Sequence, residues 1–140
     1  MVKEGNDLEN KIKITPFTDG LTIKFSGELD SSKTLIYREK IHREMAKYGP
    51  KFIIFDLKDC SFIDSAGIGL ILGRFNEVEK IKGTCGFINL STYSRKVIRI
   101  SGLFSIMKEY KNITEFKKEI KIKQWIKWNL NFHPLSIMNL

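Results

Sequence analysis

The sequence predicts an α/β fold, a mixed and mostly parallel sheet of four to five strands with about four helices packed against it. Two observations carry that prediction. Segments with strand-like apolar patterns are interleaved with segments whose apolar residues recur at helical spacing, and such alternation builds a sheet covered by helices. The run Phe52-Ile53-Ile54-Phe55 is apolar at every position, as in a strand covered on both faces.

The elements follow in order. Residues 11–17 and 21–26 alternate, with Leu21, Ile23 and Phe25 on one face, and Asp19-Gly20 supplies a hairpin turn between them. Gly27-Glu28-Leu29-Asp30 breaks the pattern. A helix is expected from an N-cap at Asp30 or Ser31 to about Tyr48, burying Tyr37, Ile41, Met45 and Tyr48 before Gly49-Pro50 stops it. After the 52–55 strand and a short loop, Asp64-Ser65-Ala66-Gly67-Ile68-Gly69 opens a second helix. It reaches about Lys82, with Ile68, Ile71, Leu72, Phe75 and Val78 on its inner face and Gly83 at its end. Residues 85–90 read as the next strand. Ser91 or Thr92 caps a third helix through Val97, Ile98 and Ile100, which Gly102 ends in a left-handed conformation with Leu103 as its hydrophobic contact. Residues 106–110 suit a short edge strand, and Asn112-Ile113-Thr114-Glu115 opens a last helix.

The chain of 140 residues, 42% hydrophobic and 29% charged, suits one domain with a real core. Three regions are expected: a polar segment over 1–11, the domain over 12–116, and a basic, aromatic tail over 117–140, either helical and fraying or disordered. The formal charge of +8 does not mark a nucleic-acid protein, because it is dispersed. Half of it, five lysines against Glu119, lies in the tail, and the rest is an interspersed mixture of both signs. In the tail, Lys121, Lys123 and Lys127 interleave with Ile122, Trp125, Ile126, Trp128 and Phe132. Such a pattern suits a membrane surface or nucleic acid, but it is read here as an unpacked extension. No apolar run approaches the roughly 20 residues of a membrane helix, and the polar N-terminus is no signal peptide, so a cytoplasmic protein is expected. Cys60 and Cys85 fit no metal or redox spacing and are expected as buried thiols. His42 and His133 are isolated, and no metal or cofactor is expected.

Ser65 is the residue on which function turns. At or beside a helix N-cap, its side chain lies near amide groups without helical partners, where the helix dipole also favours negative charge. A phosphate there, roughly −1.5 to −2 charges, is tolerable to the fold. Ala66, Gly67 and Gly69 leave the helix start nearly bare, so a partner's backbone can approach, and Asp64 adds a like charge that such a partner would resent once Ser65 is phosphorylated. The same residues are equally explained by a simple cap and easy packing. A nucleophile elbow is disfavoured, since Ile63 stands where the first glycine of G-x-S-x-G belongs and no histidine has an obvious reason to sit beside Ser65, which leaves an esterase as a third, weaker reading. P-loop, kinase and dinucleotide signatures are absent too, and no enzyme is expected.

Three separated motifs, Phe-Ser-Gly-Glu-Leu-Asp over 25–30, Phe-Ile-Asp-Ser-Ala-Gly-Ile-Gly-Leu-Ile-Leu-Gly-Arg over 62–74 and Ile-Ser-Gly-Leu-Phe over 100–104, resemble the anti-anti-sigma factors. These are STAS-domain proteins, and the similarity, closest to sporulation members, covers roughly residues 12–116. The resemblance implies the STAS fold and a switch. The unphosphorylated form binds an anti-sigma factor that is itself a serine kinase, and so frees a sigma factor of the sporulation F type. The kinase uses ATP to phosphorylate the serine of the Asp-Ser motif, here Ser65, and a PP2C-type phosphatase resets it. Asp30 matches a family position that contacts the kinase, and Glu28, Asp64, Ser65, Ala66, Gly67, Ile68 and Gly69 are expected on the same surface. The alternative is a STAS sensor module that binds a small ligand or nucleotide.

Overall fold

In the computed structural model, which describes residues 11–132, strand β4 (Phe52–Asp56) lies at the centre of a five-stranded sheet. The other strands are β1 (Ile12–Phe17), β2 (Gly20–Phe25), β6 (Thr84–Ile88) and β7 (Lys108–Glu109), in the order β1-β2-β4-β6-β7. Only β1 and β2 run antiparallel, as a hairpin pairing Ile12 with Phe25 and Phe17 with Gly20. The remaining pairs, β2 with β4, β4 with β6 and β6 with β7, are parallel. All five residues of β4 are buried, as its unbroken apolar run requires. Among the described residues β1 pairs with β2 alone, and it carries Pro16. The hairpin turn sits one residue earlier than expected: Asp19 takes the left-handed conformation at φ 62° and Gly20 is already in β2.

Two strands escape the sequence pattern. Gly27–Leu29 is β3 and Cys60–Ile63 is β5, and they pair in parallel as a separate two-stranded sheet. The expected break and short loop are therefore strands. Three and four residues are too few to display a period, and their pairing depends on a contact distant in sequence.

The helices are α1 (Thr34–Tyr48), α2 (Ser65–Glu79), α3 (Thr92–Ser101) and α4 (Ile113–Phe132). Helix α1 starts later than expected because Asp30 organises a turn instead of a cap. Its Oδ1 accepts the Ser32 amide at 3.0 Å and its carbonyl accepts the Lys33 and Thr34 amides, so Lys33 becomes the N-cap residue. Tyr37 and Ile41 are buried as expected and Met45 packs on the core from its edge, but Tyr48 is 43% exposed. Helix α2 buries Gly67, Leu70, Ile71, Arg74 and Val78. The expected Ile68, Leu72 and Phe75 are only partly covered, so the face is turned toward Leu70 and Arg74. The helix ends at Glu79, not Lys82, and the left-handed residue is Lys82 at φ 61°. Gly83 is required for a different reason, since a Cβ there would run into the Lys51 carbonyl oxygen.

Ser91 caps α3, accepting the Ser94 amide at 3.1 Å, and Gly102 ends it at φ 84° with Leu103 buried behind. Within α3, Ile98 is buried while Ile100 is 76% exposed. A 3₁₀ turn over Leu103–Ser105 shortens the expected last strand to Lys108–Glu109. Phe25, Phe55, Phe87 and Phe104 run as a continuous aromatic row, with successive centroids 6.4, 6.1 and 6.1 Å apart. Three of these rings are essentially buried, each stabilising the fold by roughly 1.5–3 kcal/mol.

The chain divides into two compact units between Glu109 and Tyr110. In the second, Asn112 Oδ1 accepts the Glu115 amide at 2.9 Å and Glu115 Oε2 accepts the Lys111 amide at 3.0 Å, which together open α4. The Tyr110 ring meets Phe116 edge-on at 4.9 Å. Helix α4 continues unbroken past Phe116, so residues 117–132 of the expected tail are helical, while His133 and the residues after it lie outside the described chain. No helix among the described residues is long and apolar enough to cross a membrane.

Because the Gly83 contact is with backbone, Gly83→Ala is expected to cost about 1–3 kcal/mol, read as a lowered urea midpoint with an unchanged slope.

Candidate functional site

The site is built where the small sheet meets α2. Parallel pairing sets Glu28 beside Phe62 and Leu29 beside Ile63, which brings the segment after β3 to the junction after β5. The Asp64 amide donates to the Leu29 carbonyl at 3.3 Å. On the other side of the junction, Tyr93 of α3 accepts the Ile63 amide at its hydroxyl, 3.1 Å away. Tyr93 is a supporting residue with no sequence signal, since it lies 30 positions from its partner.

Asp64, not Ser65, is the N-cap of α2. Its backbone is extended, its Oδ1 accepts the Gly67 amide at 3.0 Å, and its carbonyl accepts the Ile68 amide at 3.0 Å. Its Oδ2 accepts the Ser31 amide at 3.1 Å. Ser65 is thereby the first helical residue. Its side chain is exposed and makes no hydrogen bond among the described residues.

The other expected site residues separate into two groups. Glu28 and Asp30 flank Leu29, whose carbonyl meets the Asp64 amide, and Lys33 holds both, its Nζ 3.6 Å from a carboxylate oxygen of each. Lys33 was not singled out from the sequence; its spacing of three from Asp30 was the available signal. The Asp30 carboxyl is held below its ordinary range by the hydrogen bond from the Ser32 hydroxyl, helped by the Ser32 amide and Lys33 against a partial burial cost. Ala66 is half-buried and Gly69 is exposed, and a Cβ on Gly69 would meet nothing within 4 Å. Gly67 and Ile68 face differently. Gly67 was expected to be bare, yet it is buried, and a Cβ there would strike the Leu29 carbonyl oxygen and approach Leu29 Cγ to 2.9 Å. Its small size lets α2 close onto β3. Ile68 is half-buried against the core.

Both cysteines are buried. Burial pushes the Cys60 thiol up, and it pushes Cys85 up to about 12. Neither thiol serves this site, and no cluster of His, Cys, Asp or Glu suited to a metal occurs among the described residues.

The STAS domain family matches residues 11–116. The chain belongs to the STAS family. Within it, a relative from Lysinibacillus sphaericus named anti-sigma F factor antagonist is 39% identical over 83 residues, 59% of this chain and 71% of its own. The solved structure of the anti-sigma factor antagonist SpoIIAA in its unphosphorylated form superposes with a TM-score of 0.68 at 29% identity, covering 79% of this chain and 96% of that one. The phosphorylated form of the Bacillus cell-fate determinant SpoIIAA gives 0.61 at 30%, covering 76% and 97%. The STAS fold expected from the motifs is the fold observed, with four α-helices and a mostly parallel five-stranded sheet among the described residues.

Two outcomes are expected. Asp64→Ala removes the α2 cap and its link to Ser31, costing about 0.5–2 kcal/mol in denaturant unfolding. For Asp30 the folded carboxyl titrates below its ordinary value of 3.8. Its contribution to stability is therefore full above that value and is lost as pH falls through the lower, folded one. The stability difference between the native chain and Asp30→Asn should shrink on acidification below pH 3.8; a difference that stays constant there would contradict the assignment.

Proposed function

We propose that this STAS domain is an anti-sigma factor antagonist switched at Ser65. The unphosphorylated domain binds an anti-sigma factor that is a serine kinase and so releases a sigma factor, of the sporulation F type. That kinase uses ATP to phosphorylate Ser65, and a PP2C-type phosphatase restores the binding form. The domain is ligand and substrate in this cycle, not enzyme.

One observation carries the reading: Ser65 stands exposed at the first position of α2, with no hydrogen bond to its side chain among the described residues, in a chain similar to structures of SpoIIAA in both phosphorylation states. The chemistry supports it. Asp64 satisfies the Gly67 amide and the Ser31 amide whatever the state of Ser65, so the helix start does not depend on the serine hydroxyl. A phosphate on Ser65 joins a surface that already holds Asp64, Asp30 and Glu28, leaving a close partner to face concentrated negative charge. Asp30, Glu28, Ala66 and Gly69 form the exposed or half-exposed part of the partner surface. Gly67 and Ile68 shape it from beneath.

Incubation with the anti-sigma factor kinase and ATP, followed by mass spectrometry, should place one phosphate on Ser65; modification elsewhere, or none, would sink the proposal. By calorimetry, Ser65→Asp should weaken kinase binding about tenfold or more, equivalent to about 1.4 kcal/mol, while Ser65→Ala still binds.

A further inference from the structure

A second feature lies on the side of α2 that faces α1. A groove of ≈ 210 Å³ runs between the two helices, lined by Thr34, Arg38, Ala66, Gly69, Leu70, Gly73 and Arg74. Its small residues are not there to relieve crowding. A Cβ added to Gly69 or Gly73 would meet nothing within 4 Å, although glycine inside a helix costs about 1 kcal/mol against alanine. The groove is open at a place where the fold has no need of an opening.

Two guanidinium groups belong to its wall. Arg74 is only 5% exposed. Its Nη2 donates to Glu77 Oε1 at 2.6 Å, and the same Glu77 oxygen also meets His42 Nε2 at 2.9 Å. Its Nε and Nη1 are buried and have no hydrogen-bond partner among the described residues. A buried donor without an acceptor is costly, the more so on a cation. Arg38 is exposed and engages no acid among the described residues. Burial lowers the affinity of Arg74 for its proton, Glu77 opposes that change, and the nearby Arg38 charge adds to it. One carboxylate therefore stands against two arginines, with His42 drawing on it too.

We infer that this groove is a binding site for a phosphate group, held between the Arg38 and Arg74 guanidinium groups with Thr34 also in its wall. Nε and Nη1 lie on different sides of the guanidinium, so each offers a single charge-assisted donor rather than a parallel pair. Pockets for drug-sized molecules span roughly 300–1,000 Å³, and this smaller groove has room for a phosphate or the head of a phosphomonoester. The site goes beyond the switch at Ser65 and stands whether or not that serine is phosphorylated.

The test is a titration of the full chain with inorganic phosphate, followed by heteronuclear NMR of the Gly69 and Gly73 amides and the Arg74 Nε–H, against sodium chloride at matched ionic strength. Saturable shifts at these groups with phosphate and not with chloride are expected. Arg38→Gln, an exposed substitution, should weaken binding about tenfold or more, as loss of a hydrogen bond to a charged group implies. Gly73→Leu should fill the groove and abolish binding in a chain whose melting shows it folded. A parallel arm with phenyl phosphate separates the sources: tighter binding than phosphate identifies a phosphomonoester, and exclusion identifies the free anion. Shifts that never saturate, that chloride reproduces, or that Arg38→Gln leaves unchanged would overturn the site.

Discussion

The two oxygens of the Asp64 carboxylate serve distant segments of chain, one holding Gly67 in the first turn of α2 and the other Ser31 beyond β3, 33 residues from Asp64. Much of the site's geometry depends on that division. The Gly67 bond fixes where α2 begins, and so makes Ser65 its first residue. The Ser31 bond ties down the turn that carries Asp30 and leads into α1. Beneath both, the Leu29 carbonyl accepts the Asp64 amide while Gly67 closes over it. A larger residue at 67 would separate helix from strand and move the serine with it.

What was legible in the sequence follows from the range of the interactions involved. The β1–β2 hairpin, the buried β4, the start of α2 and the Gly102 terminus each rest on residues within a few positions of one another, and each left a pattern. The β3–β5 sheet did not. Its strands are shorter than any readable period, and their pairing joins Leu29 to Ile63. Asp30 shows the same limit more finely: the residue type favours a helix cap and an Asx turn alike, and only the fold selects the turn. The candidate site was readable as a position, Ser65, through motifs shared with a family. The roles of its neighbours were not, because whether a glycine is bare like Gly69 or enclosed like Gly67 depends on a strand arriving from elsewhere.

Arg74 illustrates the cost of reading faces from apolar residues alone. Helical spacing on Ile68, Ile71, Leu72, Phe75 and Val78 places an inner face correctly to within part of a turn. It leaves out a charged side chain that is more buried than several of them. A guanidinium in that position needs company, and Glu77, one turn on, supplies it in part. The helix that presents Ser65 thus has two differently built margins, a carboxylate-rich start beside β3 and an arginine-bearing flank beside α1.

The lone antiparallel hairpin at the margin of the sheet bears on how the protein behaves in a crowded solution. An outermost strand offers backbone donors and acceptors in a row, a template on which further chains can stack. In β1 that row is interrupted by Pro16, which has no amide hydrogen to offer, and Lys13 brings charge to the same strand. At the opposite margin β7 is only two residues long, too brief to seed a ribbon. The chain is in this way shielded from sheet-to-sheet aggregation by the outline of its own sheet.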